Sequence, residues 1–183
     1  MQYSVSDFLT DIVQNSIEAE ASVVTVDYIE EFPMLNIMVG DNGKGMDEET
    51  LAKAKDPFFT DGEKHKNRKV GLGIPFLIQA VEAAGGEFDI KSDVEMGTAI
   101  EFSFNLENVD CPTEGDIASA FRSLLLFSGD YEILINRIKN GKSYRVTKSE
   151  LKEALGDLES ADSLNLAKAY FESHENELSG KGE

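Results

Sequence analysis

Apolar positions Phe8, Ile12 and Ile17, with Leu9 and Val13 beside them, recur at helical spacing and predict a helix over residues 5 to 20 with one buried stripe. Asp11 and Asn15 stand four residues apart on that helix, hence on one face. The period then changes. Ser22 to Tyr28, rich in valine and threonine, and Met34 to Val39 predict two strands joined by a turn at Glu30 to Pro33, and the second runs straight into Asp41. Asp47-Glu48-Glu49-Thr50 predicts the start of a short helix, because carboxylates favour a helix N-terminus. Residues 56 to 70, with Pro57, Gly62 and a basic stretch, have the length of a mobile lid. From Gly71 a helical pattern runs through Phe76, Leu77, Ala80, Val81 and Ala84 and stops at Gly85-Gly86. Phe88 to Ser92 and Thr98 to Asn105 then alternate as two strands about a turn near Gly97.

The last part of the chain opens with a connector, Cys111-Pro112-Thr113-Glu114-Gly115, and predicts a helix from Asp116 to Phe127. A hairpin turning at Asn140-Gly141 follows, and Thr147-Lys148-Ser149-Glu150 spells a capping box that starts another helix. The polar end from about Ser173 reads as frayed. No repeat or low-complexity tract is present.

Length changes the picture little: 183 residues suit one well-buried domain with a small appendage, or two small units sharing a core. The 41% apolar and 28% charged content is that of an ordinary globular chain. No apolar run could span a bilayer, and Met1 to Thr10 lacks a signal-peptide pattern, so a soluble cytoplasmic protein with no membrane partner is expected. Cys111 is the sole cysteine and reads as a structural thiol. Charge is more informative. A net −18 makes long nucleic acid an improbable partner, whereas a nucleotide can still be held by local amides, Mg²⁺ and a few cations. Such cations cluster at Lys64, Lys66, Arg68 and Lys69, which alone would read as a solvated loop.

The candidate chemistry follows from residue types. Asp41 leaves a strand and meets Gly43 and Gly45, so its carboxylate can accept from an exocyclic amine while the glycines let backbone approach a flat ring; the same residues also spell a simple turn. Asn15 offers an amide oxygen to a hard cation such as Mg²⁺, or is a polar residue on a surface helix. Gly71-Leu72-Gly73 stands where the lid meets a helix, whose outward amides can bind phosphate. Met96-Gly97-Thr98-Ala99 places a hydroxyl at a strand start, and taken alone Thr98 is only a good strand residue.

The three segments Asp11 to Ala19, Asp41-Asn42-Gly43-Lys44-Gly45-Met46 and Val70-Gly71-Leu72-Gly73-Ile74, in that order, resemble the GHKL superfamily of Bergerat-fold ATPases and kinases; Asp56 to Phe104 most resembles its histidine kinase-like ATP-binding domains, and Asp11 to Thr25 the N box of MutL and Hsp90. The likeness covers roughly the first 105 residues. It implies an α+β fold, a two-layer α/β sandwich with a mixed sheet under a helical layer, for residues 1–108. Residues 109–183 are expected to form a small helix-hairpin-helix unit of unknown role. The resemblance further implies ATP and Mg²⁺ as cofactors, Asn15 as metal ligand, and Asp41, Gly43, Gly45, Met46, Lys69, Gly71, Leu72, Gly73 and Thr98 as nucleotide contacts. Where ATP-hydrolysing members place a glutamate as general base, this chain has Asp11, one methylene shorter; it is a candidate base or a remnant. Only ten residues precede Asp11, so no dimerisation helix pair with a phosphoacceptor histidine is expected here, and His174 reads as part of the polar tail. A Mg-ATP-binding regulatory protein acting on a partner protein is therefore expected. The alternatives are an ATP hydrolase using Asp11 and a protein kinase acting in trans, like the anti-sigma factor kinases.

Overall fold

The computed structural model describes residues 3–56 and 73–180. Within them run α1 (Val5–Glu18), β1 (Val23–Glu31), β2 (Met34–Asp41), α2 (Glu48–Lys55), α3 (Gly73–Ala83), β3 (Phe88–Asp93) and β4 (Gly97–Asn105). There follow α4 (Ile117–Leu124), β5 (Glu132–Lys139), β6 (Lys142–Thr147), α5 (Lys148–Leu155) and α6 (Ala161–Leu178). Both helices with a full capping box start where the local chemistry demands. Ser4 accepts from the Asp7 amide while Asp7 accepts from the Ser4 amide, and Thr147 and Glu150 do the same for α5.

The six strands form one mixed sheet in the order β3-β4-β2-β1-β5-β6. All neighbours are antiparallel except β1 and β5, which pair in parallel from Val23 opposite Glu132 to Glu30 opposite Lys139. Period-two alternation sends Val24, Val26 and Tyr28 of β1, Leu35, Ile37 and Val39 of β2, and Ile100, Phe102 and Phe104 of β4 to one buried face. Thr25, Asp27 and Ile29, with Asn36, Met38 and Gly40, stay at least partly exposed on the other. Helix α1 covers the buried face with Phe8, Leu9, Ile12 and Val13, and α4 and α6 add Phe121 and Phe171. Phe121 meets Tyr28 edge-on at 5.8 Å between ring centres and Phe171 at 5.7 Å, which joins the two helices to β1.

The C-terminal hairpin therefore lies in the same sheet as the strands of the first hundred residues. Three local expectations change. Helix α4 stops at Leu124 rather than Phe127. The helix after Thr147 is two helices, α5 and α6, separated at Gly156, whose φ of +78° no helical residue adopts. Nor is the end frayed from Ser173, since α6 continues to Leu178. Its polar residues have a buried partner: the fully buried Arg137 guanidinium lies 2.9 Å from Glu30 and 3.2 Å from Glu175 and stacks over Tyr28. Tyr144 donates to the same Glu175 at 2.8 Å, and its ring lies against His174 at 4.7 Å between centres.

Candidate functional site

The first two motifs meet at one end of the sheet, and Gly73 of the third lies against Asp11 of the first. Strand β2 ends at Asp41, which pairs with Val24 on one side and Thr98 on the other, so its side chain points to the buried face beneath α1. There Oδ2 accepts from the Ser16 hydroxyl at 2.6 Å, while Oδ1 accepts from the Gly43 amide at 2.8 Å and the Thr98 amide at 3.3 Å. Three elements thus fix one carboxylate. Asn42 holds the next turn: its Oδ1 accepts from the Ser22 and Val23 amides at 3.0 and 2.9 Å, and its Nδ2 donates to Ser22 Oγ.

Gly43, Gly45 and Gly97 make this packing possible in a way the sequence expectation did not include. A β-carbon on Gly45 would lie 1.9 Å from the Asp93 carbonyl, and one on Gly97 1.9 Å from that of Asp41; both residues also have positive φ. On Gly43 it would come within 2.7 Å of the Ala19 carbonyl. The room left by hydrogen is filled by the protein's own backbone, which brings the glycine loop against the end of α1 and the β3–β4 turn. The Lys44 amide donates to Ala19 at 2.9 Å, and the Glu95 amide donates to Lys44 at 2.8 Å.

Ser92 joins the two halves of the site. Its Oγ accepts from the Met46 amide at 2.9 Å, donates to the Gly97 carbonyl at 3.0 Å and lies 2.9 Å from Thr98 Oγ1. Neither Ser16 nor Ser92 stood out in the sequence. Ser16 could have been found, because it continues the stripe of Leu9, Ile12 and Val13 as a lone polar residue and is buried. Ser92 has no such local signal, since only the pairing of β3 with β4 sets it opposite Thr98.

On α1, Asn15 is exposed, and its side-chain amide has no partner among the described residues. Asp11, one turn earlier, is partly buried. A β-carbon on Gly73 would lie 3.6 Å from Asp11 Oδ2, which sets this carboxyl against the first turn of α3. Burial, and then the nearby Asp7 charge, push the Asp11 carboxyl above its usual range. The described structure thus gathers Asp11, Asn15, Asp41, Gly43, Gly45, Met46, Gly73 and Thr98 around the end of α1. Lys69, Gly71 and Leu72 lie outside the described residues, as do the Pro57-Phe58-Phe59 segment, His65 and the basic cluster.

Two open concavities are formed by the described residues. One of about 530 Å³ is walled by Glu114, Lys139 and Glu175 near the buried Arg137. The other, about 390 Å³, has Thr25, Gly40 and Ala99 on its floor. Alternation puts these three on the face opposite the Asp41 and Thr98 side chains, but Asp41, Asn42, Ser92 and Thr98 line the hollow as well, so it opens beside the site.

Among the described residues no helix is long and apolar enough to cross a membrane, and no group of three or more His, Cys, Asp or Glu side chains is placed to hold a metal ion. An asparagine-held Mg²⁺, which takes most of its ligands from phosphate and water, needs no such group.

Residues 3–108 match the family described as histidine kinase-, DNA gyrase B-, and HSP90-like ATPase. Sporulation kinase A of Bacillus subtilis is 30% identical over 105 residues, which are 56% of this chain and 17% of that protein. A putative NtrY-like sensor histidine kinase of Rickettsia conorii is 31% identical over 100 residues, 53% of this chain and 16% of that one. The chain thus spans about a sixth of the length of these relatives. The ADP-complexed MutL ATPase domain of Aquifex aeolicus is similar in fold, with a TM-score of 0.51 at 17% identity over 82% of this chain and 66% of that domain.

Proposed function

The chain belongs to the histidine kinase-, DNA gyrase B- and HSP90-like ATPase family, and from that premise we propose that it binds Mg-ATP at the Asp41 site and acts on a partner protein as a regulatory module. The observation that carries this reading is the Asp41 carboxylate, held by three donors from α1, the glycine loop and β4. A carboxylate so fixed is an acceptor whose position costs nothing to organise on binding, and an exocyclic purine amine is a matching donor. Thr98 supplies a second oxygen beside it.

The phosphate end is proposed at the first turn of α3, which begins at Gly73, with Asn15 facing out from α1 and its side-chain amide without a partner among the described residues. Lys69, Gly71 and Leu72 are proposed to complete that end, with Asn15 as the protein ligand to Mg²⁺. Bound Mg²⁺ would neutralise phosphate charge in a chain of net −18.

The regulatory reading is favoured over hydrolysis by Asp11. Its side chain is one methylene shorter than the family's glutamate, and a placement error of about 1 Å can cost roughly 100-fold in rate. Hydrolysis with Asp11 as base stays the second reading, because burial raises its affinity for a proton. A kinase acting in trans is the third. Residues 109–180, which carry α4 to α6, are proposed as the partner-facing part.

Calorimetric titration with ATP, with and without Mg²⁺, tests the site. Binding strengthened by Mg²⁺ and weakened in Asp41→Asn supports it; no binding by the folded protein overturns it. Incubation of candidate partners with γ-labelled ATP tests transfer, and label that never leaves the nucleotide counts against the kinase reading.

A further inference from the structure

We propose that Ser92 is a positioning residue that fixes the hydroxyl proton of Thr98, so that the floor beside Asp41 presents only acceptors and selects a 6-amino purine over a 6-oxo purine. This rests on the nucleotide reading above and names the group that sets its base preference.

The assignment follows from counting protons. A serine hydroxyl has one proton to donate and two lone pairs to accept with. Ser92 Oγ has three neighbours: the Met46 amide at 2.9 Å, the Gly97 carbonyl at 3.0 Å and Thr98 Oγ1 at 2.9 Å. The amide can only donate, so it takes one lone pair. The carbonyl can only accept, so it takes the proton. With the Ser92 proton on the carbonyl, Thr98 is assigned as the donor to the second lone pair of Ser92, which saturates the serine. Thr98 Oγ1 has only lone pairs left for anything that docks against it.

Its neighbour is of the same kind. Asp41 already accepts from Ser16, Gly43 and Thr98, and a carboxylate has no proton to give. Two acceptors side by side favour an amine, which donates. A 6-oxo purine in the same pose would set its carbonyl oxygen against both, acceptor facing acceptor, a mismatch that desolvation makes costly. Without the Ser92 hydroxyl, the Thr98 rotor is free to donate to such a carbonyl.

The test is calorimetric titration of ATP and inosine triphosphate against the wild type, Ser92→Ala, Ser92→Thr, Thr98→Val and the Ser92→Ala/Thr98→Val double variant. The expected result is an ATP preference in the wild type that falls about tenfold in Ser92→Ala, the size of one hydrogen bond, and is kept in Ser92→Thr. In the Thr98→Val background, Ser92→Ala should leave the ratio unchanged. Equal weakening of both nucleotides by Ser92→Ala overturns the proposal, because losing the Met46 contact alone would do that. A shift that persists without the Thr98 hydroxyl overturns it as well. Should Ser92→Ala not fold, Ser92→Cys keeps the volume with a poor hydrogen-bonding group and gives the same comparison. A wild type that binds neither nucleotide overturns the nucleotide reading and this assignment with it, whereas ATP binding with an unshifted ratio overturns this assignment alone.

Discussion

The Ser16 hydroxyl donates to Asp41 Oδ2 across 2.6 Å, so helix α1 and the end of β2 meet at one carboxylate. The bond is short because the acceptor is charged, and the donor is buried. Helix and strand are therefore registered to each other by the carboxylate proposed above to read the base.

Asp41→Asn turns one acceptor oxygen into an amide NH₂ that faces donors already aimed at it. ATP affinity is expected to fall about 10- to 100-fold, and stability by about 1–3 kcal/mol. Calorimetry and urea unfolding measure the two; an unaltered ATP affinity would remove Asp41 from the site.

Ser16→Ala leaves the carboxylate its other partners but frees α1 from it. A loss of about 1–2 kcal/mol in urea unfolding is expected, with weaker ATP binding. If unfolding is unchanged, the bond contributes to neither fold nor site.

Asp11 makes a prediction in pH. Burial and the Asp7 charge raise its folded pKa above the ordinary 3.8, so the folded state holds this proton more tightly than the unfolded chain does. The stability this gives is present below pH 3.8 and is lost as pH rises through the folded value. Asp11→Asn cannot ionise, so it should be at least as stable as the wild type at pH 7, with a smaller change between pH about 4 and 7. Thermal melts at the two pH values decide this. The same variant tests hydrolysis: a base contributes about 100-fold or more, so turnover that survives the change rules that role out.

Arg137→Met should cost up to about 3–5 kcal/mol, because it removes the buried guanidinium from Glu30 and Glu175 and leaves them only Lys139 and Tyr144. Helix α6 should loosen first, and hydrogen exchange of its amides would show it. Ordinary protection in α6 would mean that the aromatic contacts hold it without the ion pair.

Much of the local geometry around Asp41 was legible because its signals are local. The α1 stripe, the strand running into Asp41, the glycines and the Thr147 capping box each lie within a few residues of the feature they fix. What could not be read depends on chain segments far apart. Arg137 in a sequence is a charged strand residue, and only its partners far along the chain, Glu30 and Glu175, explain its burial. Ser92 matters through a cross-strand register. The glycines were found for one reason and are needed for another, since the atoms that would clash with a β-carbon belong to Ala19, Asp41 and Asp93.

The parallel pairing of β1 with β5 has a consequence for modularity. The stretch with family likeness ends at residue 108, yet its β1 keeps one neighbour in a later part of the chain. Cutting the chain there would expose an edge along Val23 to Glu30, with unpaired amides and carbonyls that invite pairing with another molecule. The family-like stretch therefore cannot be lifted out or grafted into a chimera intact: β5, from the part of the chain after residue 108, forms part of its wall and must travel with it.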